Sequence, residues 1–207
     1  MSGVELPMFP LGGVLLPSTA IPLHIFEARY RALARHCVDG DGLLGVVLIE
    51  RGPEVGGGDV RFHVGTRARI ADAVELEDGR WVMAVVGEDR VRVERWLPDD
   101  PYPRAEVVLC PETPAGDDAA GRRGELEQLV RRVVASRAEL GEPAGQMPAG
   151  LSPDPVVATW QAVALAGVGP LDAQRALETD DAGERLDLVV ALLRDEADVL
   201  AQRLAGG

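Results

Sequence analysis

The chain contains no lysine, and all 21 of its basic residues are arginine. A P-loop needs a lysine on the nucleotide phosphates, and a Ser–Lys dyad or a lysine Schiff base needs one at the reacting atom. These three kinds of chemistry are therefore excluded for this sequence. The glycine-rich runs GGV and VGGGD lack the strand–GxGxxG–helix context of a dinucleotide site, so we interpret them as turns.

Cysteines and long apolar runs are also scarce. Cys37 and Cys110 are far apart in the sequence, whereas a secreted disulfide scaffold would have more cysteines at closer spacing. We favour two buried thiols, with a single bridge as the alternative. No apolar run approaches the roughly 20 residues that span a bilayer, and the acidic N-terminus is unlike a signal peptide. We therefore expect a cytoplasmic protein.

The net charge is strongly negative, and neither half of the chain is basic. The 207 residues carry a formal net charge of −13, and acidic residues outnumber arginines in both halves. No basic run suggests binding to a phosphate backbone. We therefore predict no nucleic-acid partner and no membrane partner. The length is sufficient for one large domain or two small ones.

The first half of the chain has the pattern of a β-rich domain. Short apolar or alternating runs recur about every ten residues and are separated by turn residues, such as Asp78–Gly79. We predict six or seven strands, with a turn at residues 87–89 (GED) between two of them. Gly65 predicts a bulge or a close backbone approach within its strand. The pattern is typical of a small antiparallel barrel or sandwich, with one amphipathic helix over residues 25–37.

The second half is predicted to be helical. A segment rich in proline, glycine, alanine and acidic residues has no apolar face and is interpreted as a linker. Asp154 before Pro155 predicts one helix start, and Asp181 with Glu184 has the spacing of a capping box at another. We expect about four helices in total. The predicted organisation is a barrel over residues 1–112, a linker over 113–124 and a helical subdomain over 125–207.

The stretch PLHIFEARY, residues 22–30, places His24 and Glu27 three positions apart, the spacing that puts two side chains on one helix face. A zinc site needs three or four ligands, and no further histidine or cysteine has the required spacing. We therefore predict no metal site and favour a structural helix that Phe26 and Tyr30 anchor on the barrel. Glu27 would lie in its first turn, paired with an arginine. A binding surface is the remaining alternative.

The sequence has no hydrolase elbow motif and few aromatic residues that could anchor a ligand. None of the four serines lies in a GxSxG motif, and Ser152 before Pro-Asp-Pro predicts the start of a helix. Only 4% of the residues are aromatic. We predict core positions for Trp81 and Trp160, and exposure for Trp96. Arginines 67 and 69 are predicted to lie on a solvated face, with binding of a carboxylate or of backbone as the alternative.

Three segments resemble the N-terminal, substrate-recognition domain of the bacterial Lon protease family. They are LPMFPLGGVLLPSTAIPLHIFEARYRAL, VGTRARIADAVELEDGRWVMAVVGEDRVRVERW and PLDAQRALETDDAGERLDLVVALLRDEADVL. The resemblance implies an α+β fold, in which a PUA-like antiparallel β pseudo-barrel with one helix precedes an α-helical bundle. It also implies recognition of protein substrates rather than their cleavage. In full-length members an ATPase module and a Ser–Lys protease module follow, so we expect a stand-alone member.

The primary hypothesis is a non-catalytic module that binds unfolded or extended polypeptide segments, without a cofactor or catalytic residues. A protease or chaperone complex is a further expected partner. The alternatives are a small-molecule-sensing regulatory domain and, last, a cryptic hydrolase. Candidate peptide-binding residues are Phe26, Glu27, Tyr30, Arg67, Trp96 and Tyr102.

Overall fold

The computed structural model describes residues 3–55, 58–116, 119–143 and 145–206. The chain divides into two compact units, residues 1–111 and 112–207. The elements of the first unit are β1 (Val4–Leu11), β2 (Ala20–Ile25), α1 (Ala28–Asp39), β3 (Leu43–Arg51), β4 (Val60–Glu75), β5 (Trp81–Leu97) and β6 (Arg104–Leu109). Those of the second unit are α2 (Ala119–Glu139), α3 (Pro155–Ala166), α4 (Pro170–Glu178) and α5 (Ala182–Gly206).

The first unit is a pseudo-barrel with β2 added at one end of the sheet. The strand order is β2-β5-β4-β3-β1-β6, and β6 returns to pair with β5. The predicted α+β class is confirmed. The sheet is mixed rather than purely antiparallel, because β1 and β3 run parallel from Met8↔Gly45 to Leu11↔Leu48. A parallel pair needs a long crossover connection, and the segment that carries β2 and α1 supplies it.

Strand β5 is continuous, so the turn predicted at residues 87–89 is wrong. The ladder with β4 shifts register between Arg67↔Asp89 and Ala68↔Gly87, which marks a β-bulge at this point. A bulge bends a strand without ending it. As a result β5 pairs with β2 through its first half and with β6 through its second half. The hairpin at Asp78–Gly79 is confirmed, with Gly79 at φ +78°.

Two apolar clusters stabilise this unit. The smaller lies inside the barrel and includes Leu6, Met8, Val91 and Val107. The larger is built by α1, β2 and neighbouring strands around Phe9, Tyr30, Leu33, Met83 and Tyr102. Burial of this much apolar surface is the main favourable contribution to folding.

Two glycines allow close backbone approaches within the barrel unit. A Cβ at Gly65 would clash with the Val46 carbonyl oxygen, so the close approach predicted at Gly65 is confirmed. A Cβ at Gly87 would clash with the Leu16 carbonyl oxygen. At this second site Ser18 N–H donates to the Gly87 carbonyl at 2.8 Å, and Gly87 N–H donates to the Thr19 carbonyl at 2.9 Å.

The second unit is helical, as predicted. Asp154, the residue before α3, accepts a hydrogen bond from Val156 N–H at 2.8 Å. Asp181 accepts bonds from the N–H groups of Gly183 at 2.8 Å and Glu184 at 2.9 Å. Both predicted caps are confirmed. The segment 113–124 is only partly a linker, because α2 already begins at Ala119, in a stretch of alanine and arginine, which favour helix.

A buried arginine is at the centre of the second unit. Arg185 on α5 is fully buried, and its guanidinium carbon lies 4.1 Å from the ring centroid of Trp160, which is 1% exposed. Arg185 also pairs with Glu112 and donates to the Thr179 carbonyl at 2.9 Å.

The core positions predicted for Trp81 and Trp160 are confirmed, since Trp81 is 7% exposed and Trp160 is 1% exposed. Of the residues described, no helix is both long and apolar enough to cross a membrane.

The close approach at Gly87 leads to the first prediction. We expect Gly87→Ala to lower the free energy of unfolding by about 2–3 kcal/mol, because the added methyl group forces β5 and the segment between β1 and β2 apart. The matched control is Gly13→Ala in the same segment, where a Cβ has no neighbour within 4 Å. That control should change stability by less than about 1 kcal/mol. Urea denaturation followed by far-ultraviolet circular dichroism measures both. Equal losses in the two variants would contradict the prediction.

The buried arginine leads to the second prediction. We expect Arg185→Ala to lower the free energy of unfolding by about 3 kcal/mol, because it removes a buried ion-pair partner together with the contact to the Trp160 ring. The matched control on the same helix is Arg194→Ala, because the Arg194–Glu125 pair is largely exposed. Exposed pairs contribute less than about 1 kcal/mol. The same denaturation experiment distinguishes the two variants, and a larger loss for the Arg194 variant would disprove the assignment.

Candidate functional site

An apolar groove of about 220 Å³ opens on the barrel unit beside the end of β2. One wall is the end of β1, and another is β2 with the turn that leads into α1. The loop between β3 and β4 contributes two further residues. The lining residues are Phe9, Pro10, Leu11, Pro22, Leu23, His24, Ile25, Phe26, Glu27, Tyr30, Glu54 and Val55.

Two large hydrophobic side chains of the groove lining are exposed. Phe26, between β2 and α1, is 56% exposed, and Val55 in the β3–β4 loop is 53% exposed. Large apolar side chains that remain exposed beside a groove are typical of binding surfaces. A shallower pocket of about 50 Å³ lies next to Phe26 and includes Leu76, Trp81 and Val82. Apolar surface therefore continues from the groove onto the outer face of β5.

Tyr30 is a buried member of the groove lining. Its ring centroid lies 4.5 Å from that of Phe9, and the residue is 4% exposed. Among the described residues its hydroxyl is buried without a hydrogen-bond partner. Burial raises the pKa of Tyr30 to about 12; a phenol is protonated at neutral pH even at its ordinary pKa, so the hydroxyl carries a proton.

Two of the polar residues that line the groove are acidic. The Glu54 carboxylate accepts a bond from Gly12 N–H at 3.1 Å, which links the β3–β4 loop to the segment after β1. The Glu27 carboxylate accepts a bond from Arg29 Nε at 3.3 Å. The Arg29 guanidinium carbon in turn lies 4.4 Å from the centroid of the Tyr30 ring. These contacts hold both carboxylates beside the apolar walls.

The structure brings together three of the six predicted peptide-binding residues. Phe26, Glu27 and Tyr30 all line the groove, whereas the other three lie elsewhere. Arg67 on β4 pairs with Asp89 and, at 3.4 Å, with Glu88 on β5. Trp96 is partly buried against the barrel cluster, under the Arg61 guanidinium at 4.7 Å. Tyr102 is 7% exposed in the larger cluster.

The helical interpretation of His24 and Glu27 is wrong. His24 belongs to β2, and Glu27 is the N-cap residue of α1, with extended backbone at φ −68° and ψ 139°. The two residues therefore do not share a helix face. The predicted helix over residues 25–37 began too early, because Ile25 and Tyr30 are both buried although they lie in different elements.

The sequence alone does not show that distant segments contribute to the groove. Phe9 and Leu11 come from β1, and Glu54 and Val55 come from a loop that composition identifies only as a turn. Sequence spacing alone does not show which strand the loop approaches.

Histidines, cysteines, acidic residues and Ser152 are the remaining candidates for chemistry other than binding. Among the described residues, no group of three or more histidine, cysteine or acidic side chains could hold a metal ion. Ser152 accepts a bond from Asp154 N–H at 3.2 Å, which places it at the start of α3, as the sequence predicted. Cys37 and Cys110 are free thiols, and burial raises the pKa of Cys37 to about 12.

Comparisons with known proteins agree with this architecture. The chain is 29% identical over 208 residues to Lon protease 2 of Herpetosiphon aurantiacus, covering 95% of the chain and 24% of that relative. It is also 29% identical over 212 residues to the Lon protease of Xanthomonas oryzae pv. oryzae, covering 98% of the chain and again 24% of the relative. The chain thus spans about a quarter of the length of the curated relatives it matches.

Solved structures give the same result for the fold. A crystal structure of a Lon N-terminal domain protein from Xanthomonas campestris is 27% identical, with a TM-score of 0.67 over 91% of this chain and 98% of that one. The N-terminal domain of a Mycobacterium avium complex Lon protease, 18% identical, shares the fold, with a TM-score of 0.68 over 93% of this chain and 99% of that one. The family model for the ATP-dependent protease La (LON) substrate-binding domain matches residues 5–195. The chain therefore belongs to the Lon substrate-binding domain family.

Proposed function

We propose that this chain is a non-catalytic module that holds unfolded or extended polypeptide segments. The observation that carries the proposal is the apolar groove with Phe26 exposed beside it. Membership of a substrate-binding domain family supports the same function. The absence of lysine means that these residues supply neither a Walker A lysine nor a Ser–Lys dyad. We infer action in the cytoplasm, alongside a protease or chaperone complex that receives the bound chain.

The size of the groove favours a peptide side chain over a metabolite. Its volume of about 220 Å³ is below the roughly 300–1,000 Å³ of sites for drug-sized ligands. One large apolar side chain of a peptide fits such a volume, and the rest of the peptide would lie on the exposed apolar surface around it. This is the anchor-in-groove arrangement of many peptide-binding proteins.

The direct test is a titration with a model protein kept unfolded by reduction and carboxymethylation. We expect saturable binding with a Kd of roughly tens of micromolar or tighter, and no binding of the native, disulfide-bonded form of the same model protein. Isothermal titration calorimetry provides both measurements. If no saturable binding occurs in this range, the proposed function is disproved.

The third prediction concerns the exposed aromatic side chain. We expect Phe26→Ala to weaken binding of the unfolded model protein by about tenfold, the effect expected for a central aromatic anchor. Because Phe26 is already largely exposed, the free energy of unfolding should change by only about 0.5 kcal/mol.

The matched control for Phe26→Ala is Leu171→Ala. Leu171 on α4 is 63% exposed and lies outside the groove lining. Its truncation should leave the affinity unchanged within about twofold. If both variants bind equally well, Phe26 is not an anchor, and the groove is not where the chain is held.

A further inference from the structure

Strand β2 borders the groove with its edge rather than with one face. It is the end strand of the sheet, and among the described residues its ladder partner is β5 alone. Every residue from 22 to 26 lines the groove. Successive side chains of a strand point to opposite faces, so a run of neighbours can line one groove only where the edge of the strand borders it. Unpaired strand edges are templates for pairing with another chain.

The register of β2 shows which main-chain groups face outward. Gly87 N–H donates to the Thr19 carbonyl, and the ladder continues from Ala20↔Val86 to Ile25↔Trp81. In an antiparallel ladder, alternate residues exchange both bonds with the partner strand. Residues 21, 23 and 25 therefore bond to β5, and Pro22 and His24 direct their main-chain groups away from it. Pro22 has no N–H to lose at this position, which is where proline is tolerated in a sheet.

The occupant can be defined from these groups and from the groove. The His24 N–H and the carbonyls of Pro22 and His24 suit the main chain of an extended peptide. The Tyr30 hydroxyl, buried in the groove lining without a partner in the described part of the chain, is a donor suited to a peptide carbonyl. The Glu54 carboxylate, which bonds only to a backbone N–H among the described residues, and the net charge of −13 favour basic residues beside an apolar side chain.

We propose that the groove takes an extended polypeptide segment that adds to the open edge of β2 as a further strand, with one apolar side chain in the groove. Main-chain pairing provides affinity for many sequences, and the pocket selects an apolar residue in a basic context. This inference rests on the proposed function, because it specifies how a segment bound at that same groove is held.

The experiment uses one labelled peptide in three forms. The peptide has a central phenylalanine flanked by alternating threonine and arginine, and the forms are unmodified, N-methylated at even positions and N-methylated at odd positions. In an extended peptide, even and odd N–H groups point to opposite sides, so only one set can face β2. We expect one methylated form to lose about tenfold or more in affinity, and the other to bind within about twofold of the unmodified peptide.

The outcomes distinguish the two proposals. If all three forms bind equally, or if both methylated forms lose affinity equally, strand addition is disproved while the proposed function stands. If the unfolded model protein and the unmodified peptide both fail to bind, the proposed function fails as well. If the model protein binds and the peptide does not, the apolar-plus-basic occupant is disproved.

Tyr30→Phe tests the hydroxyl on the protein side. It keeps the ring against Phe9 and removes only the oxygen, which has no partner to lose among the described residues. We expect unchanged or slightly higher thermal stability, with affinity for the unmodified peptide reduced about threefold or more. Unchanged affinity would show that the hydroxyl does not contact the peptide. Reduced stability together with unchanged affinity would assign it a structural role.

Discussion

The attachment of the segment between β1 and β2 to Gly87 is the constraint on which the barrel unit depends. The Thr66 hydroxyl donates to the Leu15 carbonyl at 2.5 Å, in a fully buried position. The backbone at Gly87 then binds the two residues that precede β2. This attachment determines the register of β2 on β5, and through it the edge that β2 presents to the groove. A side chain at position 87 would separate the two backbones, so the position of the β2 edge depends on glycine at this residue.

Local chemistry was predictable from the sequence, and long-range pairing was not. The caps at Asp154 and Asp181, the Asp78–Gly79 turn and the close approach at Gly65 follow from side-chain and backbone properties of single residues. The parallel β1–β3 pair and the bulge in β5 depend on partners far away in the sequence. The groove combines the two kinds of feature. The segment around Phe26 was a candidate from its own sequence, but the residues of β1 and of the β3–β4 loop that complete the groove reach it only through long-range pairing.

The exclusive use of arginine is consistent with the contacts that the guanidinium groups make in this protein. In the described part of the chain, guanidinium groups lie over Tyr30, Trp96 and Trp160 at 4.4, 4.7 and 4.1 Å. A planar guanidinium can stack on a ring while its N–H groups bind acceptors to the side, which a compact ammonium cannot do. Arg185 does both, on Trp160, Glu112 and the Thr179 carbonyl. A lysine at position 185 would lose the stack and could not keep all of these bonds.

The same edge that we propose binds peptides is also restricted in how much it can bind. Pro22 removes one donor from the free edge of β2, and β2 covers only Ala20–Ile25. A short edge with a missing N–H pairs weakly, and proteins use such edges to limit aggregation. The main-chain bonds then supply only part of the affinity, and the apolar side chain in the groove, beside Phe26, must supply the rest. Under the proposed function, such limited pairing would favour ready release of a bound segment.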